Sequence, residues 1–502
     1  MPTEFISLTF PNENNELAPK TGLPADPNYL TRYARTLDDY GFKYTLLPYD
    51  AGGFDPWTQG AYIAAVTKNL KIIIALRPNT VYPTVAAKAL ATLDQLSNGR
   101  AVVHFIAGGS DVEQAREGDF LTKEQRYGRL EEYIKILRRA WASPEPFDWE
   151  GTYYQFKGYS NRVRPANGKN TIPISVGGSS AEAYRVGGSL ADIFGLWGEP
   201  LKDTKEQIDK IYAEAEKAGR TDRPRIWVTF RPILAETEEL AWAKAHRTLD
   251  ALNGNQAAFH KSFPNFTPNN SAPQNVGSQR LIEIAKRGDV QDRALWYPTV
   301  TATNARGATT ALVGSPQTLA DAILDYVDLG AELISIRGYD NYNDVVDYGR
   351  YILPLVYKGI AEREEAAKAK AEGASTEAAP AAEAEVAPAA AAAAAPAADA
   401  LVETAAPTEA AAETKTEDAS APVEAATEAP KEAAVETAVE APKEGAVEAP
   451  IEALAAPIEA KEAPVVVPVE ASVVAPAPVE AKTAEVTVQE TNGDSKVPTE
   501  SV

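Results

Sequence analysis

The segment Gly177-Gly178-Ser179-Ser180 lies between a short apolar run and a helical pattern, where its residue types could bind an anion. Backbone N–H groups at the start of a helix, together with two hydroxyl groups, suit an anionic ligand. The two glycines let the backbone approach that ligand closely. Because serine is also a favoured N-cap, an ordinary helix start explains the local pattern equally well.

The chain has no thiol and few imidazoles that could hold a metal or act as nucleophiles. It has no cysteine and only three histidines, and the wide separation of His104, His246 and His260 argues against a metal cluster. There is no GxSxG or Walker motif, so serine-hydrolase and nucleotide-triphosphate chemistry lack support. His104 lies in an apolar run, and we interpret it as a core residue with a satisfied side chain.

Apolar runs typical of buried parallel strands alternate with helical patterns along the first 360 residues. The predicted strands are residues 4–9, 44–47, 70–76, 101–107, 172–176, 192–197, 225–234 and 332–337. The predicted helices are residues 27–40, 57–66, 83–96, 122–142, 180–189, 202–218, 236–252 and 316–329, with a terminal one at 344–360. This alternation predicts a (β/α)8 TIM barrel, in which ligands bind at the carboxyl ends of the strands. A doubly wound open sheet is the alternative.

Two segments interrupt the alternation. Residues 143–171 predict a short β excursion before the fifth strand, and residues 253–315 form an insertion after the seventh helix. The first half of the insertion is rich in Asn, Ser, Pro and Gln, and loops of this length inside a compact fold are often lids. We therefore predict one barrel domain over residues 1–362, with a lid in the insertion.

The end of the chain differs from the rest in composition. Residues 371–502 hold 26 acidic and 6 basic residues, a net charge of −20, whereas residues 1–370 are almost balanced at −2. The Ala-, Pro- and Glu-rich repeats contain no aromatic residue, so they cannot bury enough apolar surface to offset the entropy of ordering. We predict a disordered acidic tail over residues 363–502. The balanced body gives no reason to expect binding to nucleic acid or to a membrane surface.

An ordered set of motifs in residues 1–360 resembles the bacterial luciferase-like flavin monooxygenases, and among them the alkanesulfonate monooxygenases. These motifs are LRPN, TLDQLSNGR, GGSD, GDFLTKEQRYGRLEEY, VGGSS, LWGEP, TALVG and GYDNY. The resemblance implies a TIM barrel enzyme that takes reduced FMN (FMNH2) from a separate NAD(P)H-dependent reductase. It would use O2 to break the carbon–sulfur bond of an alkanesulfonate, which yields an aldehyde and sulfite. A homodimer or homotetramer is also implied.

The resemblance further implies positions for the site residues. Those implied to hold the FMN phosphate are Tyr127, Ser179 and Ser180. Those implied to lie near the flavin ring or the substrate are Asp50, Arg77 and the strand end at Ala107-Gly108. Tyr339 matches a tyrosine beside the reacting flavin, where a phenol could give or take a proton. Arg306 matches an arginine on the lid.

The sequence departs from the alkanesulfonate monooxygenases at two places, and both belong to the part of the site that the resemblance assigns to the substrate. Gly53 stands nearest to the position of their cysteine, and Arg231 and Thr229 stand near a histidine and an arginine of the seventh strand. Guanidinium groups match a sulfonate through paired hydrogen bonds, and the candidates for this role are Arg77, Arg231, Arg306 and Arg337. We favour Arg231 and Arg77 for this role. The alternative for each is an ion pair at the protein surface or at the rim of the barrel.

Three other functions remain open on the sequence alone. They are a dimethylsulfone-type monooxygenase, a deazaflavin-dependent oxidoreductase on the same barrel, and a catalytically silent relative that acts as a scaffold through its tail. No secretory signal or membrane-spanning run is recognisable, so a cytoplasmic protein is expected.

Overall fold

Eight parallel strands close into a barrel in the computed structural model, which describes residues 3–262 and 272–377. In chain order these strands, β1 to β8, are Glu4–Leu8, Tyr44–Leu47, Lys71–Leu76, Ala101–Phe105, Ile174–Gly177, Ile193–Trp197, Arg225–Leu234 and Ala331–Ile336. Each strand pairs with the next one, and β8 pairs with β1, where Ile334 lies opposite Phe5. The TIM barrel prediction is therefore confirmed, and the open-sheet alternative is wrong.

Helices follow the strands around the outside of the barrel. From β1 to β7 they are Pro27–Asp39, Pro56–Val66, Pro83–Leu96, Asp111–Ala115, Lys123–Ala142, Ala181–Leu190, Leu201–Lys217 and Glu238–Gly254. Pro316–Asp328 precedes β8, and Asn341–Asp347, a π-helical turn at Tyr348–Ile352 and Leu353–Glu377 follow it. The last helix continues beyond residue 362, where we placed the end of the domain. The predicted tail lies largely outside the described residues. In the described part of the chain, no helix is both long and apolar enough to cross a bilayer.

Both predicted interruptions of the barrel have regular structure. Phe147–Glu150 and Gln155–Tyr159 form an antiparallel hairpin within the predicted β excursion. The insertion contains the helices Gln256–Ser262, Val276–Ala285 and Pro298–Ala302 and the strands Val290–Gln291, Leu295–Trp296 and Ala311–Gly314. Ala311–Gly314 pairs in parallel with the second half of β7. The helices and strands of the insertion were not predicted, because each is short and gains most of its stability from packing against the barrel.

One apolar layer fills the interior of the barrel. Its buried members, from seven of the eight strands, are Ile6, Tyr44, Ile73, Val102, Ile193, Trp227 and Leu333. Side chains alternate along a strand, so the residue two positions further on faces the same interior. On β1, β4, β6 and β7 these next residues are Leu8, His104, Gly195 and Thr229, and they line a cavity instead of closing the core.

Candidate active site

A cavity of about 980 Å³ lies at the carboxyl ends of the strands, beyond the apolar layer. The nine residues predicted for the site all line it: Asp50, Arg77, Gly108, Tyr127, Ser179, Ser180, Arg231, Arg306 and Tyr339. Arg337 and His104 line it as well. Barrel closure thus brings residues from distant parts of the sequence to one chamber, while the role of each residue remains a prediction.

The anion-binding segment leads from β5 into the helix Ala181–Leu190. Ser180 is the N-cap of this helix, and its hydroxyl oxygen accepts a hydrogen bond from the N–H of Ala183 at 3.2 Å. Gly178 has φ +138°, and a Cβ there would lie 2.9 Å from the Ala183 Cβ and 3.3 Å from the Tyr127 hydroxyl oxygen. Only glycine suits this backbone and this space. The ordinary N-cap and the anion-binding site are therefore compatible, and we call Tyr127, Gly178, Ser179 and Ser180 the cradle.

Two cations lie on the cavity wall with the cradle. Lys123 Nζ is 2.9 Å from Glu182 Oε2, and Arg126 Nη1 is 2.9 Å from Asp111 Oδ1. Arg126 Nε also donates to the carbonyl oxygen of Ala107 at 3.1 Å. Within residues 3–262 and 272–377 there is no group of three or more His, Asp or Glu side chains that could hold a metal. Because each of these cations is paired with one carboxylate, the backbone N–H groups and hydroxyls of the cradle are the groups at this end that best suit an anion.

Arg77 is already paired with two carboxylates. Its Nη2 lies 2.6 Å from Glu113 Oε1 and its Nη1 lies 2.9 Å from Glu117 Oε2, and its side chain is only 3% exposed. These two negative charges outweigh the charge of Arg77, so it is a weak partner for an anionic ligand. The geometry instead suits a structural role in which Arg77 joins the end of β3 to the segment after β4.

A second charged group occupies the wall at the ends of β7 and β8. Arg231 Nη1 forms an ion pair with Glu16, and Arg231 Nη2 donates to the carbonyl oxygen of Gly338 at 3.0 Å. Arg337 Nη2 lies 3.8 Å from Glu16 Oε1. Burial raises the pKa of Glu16, but Arg231 and Arg337 outweigh this effect and lower the pKa to about 2. Glu16 is therefore ionised at neutral pH.

Arg306 and Arg337 are more accessible than Arg231. The Arg337 side chain is 17% exposed and that of Arg231 is 1% exposed, while Arg306 is half-buried. Burial and repulsion by the charge of Arg231 lower the pKa of Arg306 and of Arg337 to about 10, so both remain cationic at neutral pH. Three guanidinium groups around one carboxylate leave a net positive charge, which suits an anionic ligand. We call Arg231, Arg306, Arg337 and Glu16 the arginine group.

Tyr339 is buried behind the same wall. Burial raises the pKa of its hydroxyl, which lies close to Thr299 and makes no well-formed hydrogen bond within the described part of the chain. The hydroxyl oxygen has almost no surface of its own. A ligand in the cavity therefore contacts this hydroxyl only after a side-chain movement.

The insertion forms part of the cavity and is joined to the barrel by two bidentate ion pairs. Arg280 donates to Glu199 at 2.8 and 2.5 Å, and Arg287 donates to Asp203 at 2.8 and 3.0 Å. Residues 274–277 and 306–308 of the insertion line the cavity. Whether the insertion opens and closes as a lid remains a prediction, and residues 263–271 lie outside the described residues.

Glu16 and His104 are among the cavity residues that sequence reasoning missed. Glu16 lies in the irregular segment after β1, and no local pattern links it to Arg231. His104 could have been found, because it lies two positions after an inward-facing residue of β4 and close to the carboxyl end of that strand.

A family model for luciferase-like monooxygenases matches residues 3–333, which include seven complete barrel strands and the start of β8. The chain belongs to the luciferase-like monooxygenase family. This agrees with the resemblance of its sequence motifs to flavin-dependent members of that family.

Solved structures that share the barrel fold with this chain include DmoA, EmoA and RcaE. DmoA from Hyphomicrobium sulfonivorans is 19% identical with a TM-score of 0.58, over 71% of this chain and 88% of that chain. The EDTA monooxygenase EmoA from Chelativorans sp. BNC1 is 15% identical with a TM-score of 0.56, over 71% and 94%. Riboflavin lyase RcaE, solved with modified FMN and riboflavin, is 20% identical with a TM-score of 0.59, over 71% and 92%. At these identities the likeness is one of fold.

The two sequence departures of this luciferase-like chain both lie on the cavity wall. The N–H of Gly52 donates to Asp50 Oδ1 at 2.9 Å, and a Cβ at Gly53 would lie 2.5 Å from Asp50 Oδ2. The Asp50 carboxylate therefore fills the space that a side chain at position 53 would need. On β7, Thr229 lines the cavity, and Arg231 is paired with Glu16.

Proposed function

We propose that the chain is a two-component monooxygenase that takes reduced FMN from a separate NAD(P)H-dependent flavin reductase and oxygenates an organosulfur anion with O2. An alkanesulfonate is the favoured substrate, with an aldehyde and sulfite as products. One observation supports this most strongly: the cradle and the arginine group lie on different walls of one cavity. A cofactor phosphate and a substrate anion could therefore bind at the same time, and the distance between the two sites would keep the repulsion between their negative charges weak.

FMN fits the residues of the cradle. Backbone N–H groups at the start of Ala181–Leu190 and the hydroxyl of Ser179 would bind its phosphate, with Tyr127 alongside. The absence of a side chain at Gly178 leaves the backbone free for a close approach. When bound in its reduced form, FMN would supply the two electrons needed to activate O2.

The arginine group would bind the sulfonate. Arg306 and Arg337 are the accessible cations and would donate hydrogen bonds to its oxygens, whereas Arg231 would be held in place by Glu16. In the balanced reaction, one oxygen atom of O2 is inserted and the second leaves as water. The carbon–sulfur bond breaks as the carbon becomes an aldehyde and sulfite departs.

Tyr339 would take part in proton transfer at the substrate end, once its hydroxyl has moved toward the cavity. Burial keeps this phenol protonated at neutral pH, so it would first act as a donor. The insertion residues 274–277 and 306–308 would restrict the access of water to the reacting atoms. We also propose a cytoplasmic location, because the reaction requires NAD(P)H and a flavin reductase in the same compartment. A homodimer or homotetramer is proposed from the family resemblance.

A neutral sulfone is a second candidate substrate. Glu16 offsets one charge of the arginine group, and Glu113 and Glu117 offset that of Arg77. The net positive charge of the cavity is therefore smaller than its four arginines suggest. A polar but uncharged dialkyl sulfone could bind there by hydrogen bonds from Arg306 and Arg337.

Anaerobic titration with reduced FMN, followed by air and a panel of substrates, tests the proposal. Alkanesulfonates of several chain lengths should release sulfite, and O2 uptake should depend on them. Release of sulfinate from dimethylsulfone instead would support the second candidate. Binding of reduced deazaflavin with hydride transfer and no O2 uptake would overturn the monooxygenase proposal, and so would a failure to bind any flavin.

A further inference from the structure

His104 lies on the inner wall of the barrel, where the proposed function gives it no role. It belongs to β4, and its ring centroid is 5.3 Å from that of Trp227 on β7. The imidazole is enclosed by protein but keeps a surface toward the cavity, which it lines. It is therefore a polar side chain placed next to the space that a ligand would occupy.

Ser175 on β5 binds one side of the ring. The Ser175 Oγ lies 2.9 Å from His104 Nδ1, and Ser175 is fully buried. Within the described residues, this hydroxyl has no other acceptor for its proton. A buried hydroxyl that only accepted a hydrogen bond would leave a donor unsatisfied, which costs free energy. Ser175 therefore donates to Nδ1, and the proton of the neutral imidazole lies on Nε2.

The opposite edge of the ring faces two residues without side chains. A Cβ at Gly177 would lie 3.1 Å from His104 Cε1 and 3.4 Å from Nε2, and a Cβ at Gly195 would lie 3.6 Å from Cε1. Both glycines line the cavity. The space beside Nε2 is thus left open, and within the described residues Nε2 has no hydrogen-bond partner of its own.

We propose that His104 is a cofactor-binding residue that presents Nε2–H as a neutral hydrogen-bond donor to an acceptor atom of the cofactor's ring system. This rests on the proposed function, because it requires a flavin in the cavity. Ring carbonyl oxygens and ring nitrogens are the acceptor groups that such a donor recognises. The step involves binding only, with no proton transferred.

Topology favours the cofactor over the substrate as this partner. Gly177, which faces His104, is followed directly by Gly178 of the cradle. In the closed barrel, β4 lies opposite β8, and Arg337 follows β8. His104 is therefore on the cradle side of the cavity, away from the arginine group.

The surroundings keep the imidazole uncharged. Ser175, Trp227 and the two glycines, which lie beside the ring, are all uncharged. Burial lowers the pKa of His104 to about 4, so the ring is neutral at physiological pH. A neutral donor can bind an uncharged acceptor without the cost of burying an ion.

Imidazole nitrogen NMR of the full-length chain tests this inference directly. The chain has only three histidines, and the signals of His104 are assigned by their loss in H104Q. We expect the neutral Nε2–H form at pH 7 and a shift of its Nε2 signal when FMN is added. Methanesulfonate alone should leave that signal unchanged.

Variants supply the second readout, the dissociation constant of FMN measured by fluorescence quenching. H104F removes the donor and should weaken FMN binding about 10-fold, the effect of one neutral hydrogen bond. H104Q carries an amide N–H of similar reach and should restore most of the affinity. H246Q, in the helix Glu238–Gly254 and outside the cavity lining, is the matched control and should bind FMN as the wild type does.

The outcomes separate the inference from the proposed function. Tight FMN binding with an unchanged His104 signal would refute the role of His104 alone. A shift caused by methanesulfonate and not by FMN would also refute it, because the partner would be the substrate. Absence of any flavin binding would overturn the proposed function and this inference together. Because the NMR test uses the wild-type chain, it stands even if H104F fails to fold.

Discussion

The guanidinium carbon of Arg231 lies 3.7 Å from the centroid of the Tyr339 ring, and both side chains are buried. A cation over a phenol ring is favoured by the quadrupole of the ring, more strongly in a desolvated place than at the surface. Since Glu16 and the Gly338 carbonyl hold the same guanidinium, Tyr339 is fixed through its ring and not through its hydroxyl. Ring and hydroxyl can therefore be tested separately.

Replacing Tyr339 by Phe should leave the fold intact and slow the reaction. Phenylalanine keeps the ring beneath Arg231, so we expect the free energy of unfolding to change by less than about 1 kcal/mol. Loss of the hydroxyl should lower the single-turnover rate by about 100-fold if it moves a proton. Y348F is the control, because Tyr348 is buried outside the cavity lining and donates to the Pro232 carbonyl oxygen. An unchanged rate in Y339F would remove Tyr339 from the chemistry.

The arginines should differ in what they contribute. We expect R337Q to raise the KM for an alkanesulfonate by about 10- to 100-fold, because a charge-assisted hydrogen bond is lost at an accessible position. R231A should also raise the KM, and should in addition destabilise the fold by about 3 kcal/mol, because Glu16 then loses its main partner. R363Q, on an exposed ion pair with Asp328, is a control for both measurements. Equal stability of R231A and the wild type would contradict this assignment.

Glu16 should make the fold sensitive to acid. Its pKa is about 2 in the folded chain and near 4.5 without partners. The depressed folded pKa means that its stabilisation is complete above pH 4.5 and is lost as the pH falls from 4.5 toward 2. A shift of this size corresponds to about 3 kcal/mol. The gap in unfolding free energy between wild type and E16Q, measured in urea, should therefore narrow from pH 6 to pH 3. A difference in unfolding free energy that stays constant with pH would show that Arg231 and Arg337 do not lower the pKa of Glu16.

Gly178 provides a test of the cradle. G178A introduces a Cβ 2.9 Å from that of Ala183, at a φ that alanine rarely adopts. We expect FMN binding to weaken by about 10-fold or more, and riboflavin, which has no phosphate, to lose much less. G254A is the matched control, because nothing lies within 4 Å of a Cβ at this helix end. Equal losses for FMN and riboflavin would mean that the phosphate binds elsewhere.

The barrel could be predicted because its strands carry their signal locally. Strands such as Lys71–Leu76 are buried on both faces and read as continuous apolar runs, which few other elements do. The strand Leu295–Trp296 is only two residues long, and its stability depends on its neighbour Ala311–Gly314. Residue types at a strand end were sufficient to nominate Ser179, whereas Arg231 and Tyr339 were nominated through the resemblance of their motifs, and all three line one cavity.

The ion-pair partners of the arginines, which come from distant parts of the chain, could not be predicted from the sequence. We favoured Arg77 and Arg231 as the anion-binding arginines, yet they are the most buried of the four and both are paired with carboxylates. Their carboxylate partners lie in segments whose position depends on the closed barrel. His104 was interpreted as a core residue because its strand is apolar, although its place near the carboxyl end of β4 faces the cavity.

The two halves of the ten-residue strand β7 pair with different parts of the fold. The first half pairs with the strands β6 and β8 and closes the barrel, while the second half pairs with the strand Ala311–Gly314 of the insertion. The wall formed by residues 306–308 is therefore attached to a part of the strand that barrel closure does not use. Directed evolution could vary Arg306, Ala308 and Gln274 on this wall and still recover folded protein, provided that Asn275, Gly277 and Gly307 are kept for their structural roles. New substrate preferences could arise in this way without any redesign of the flavin-facing half.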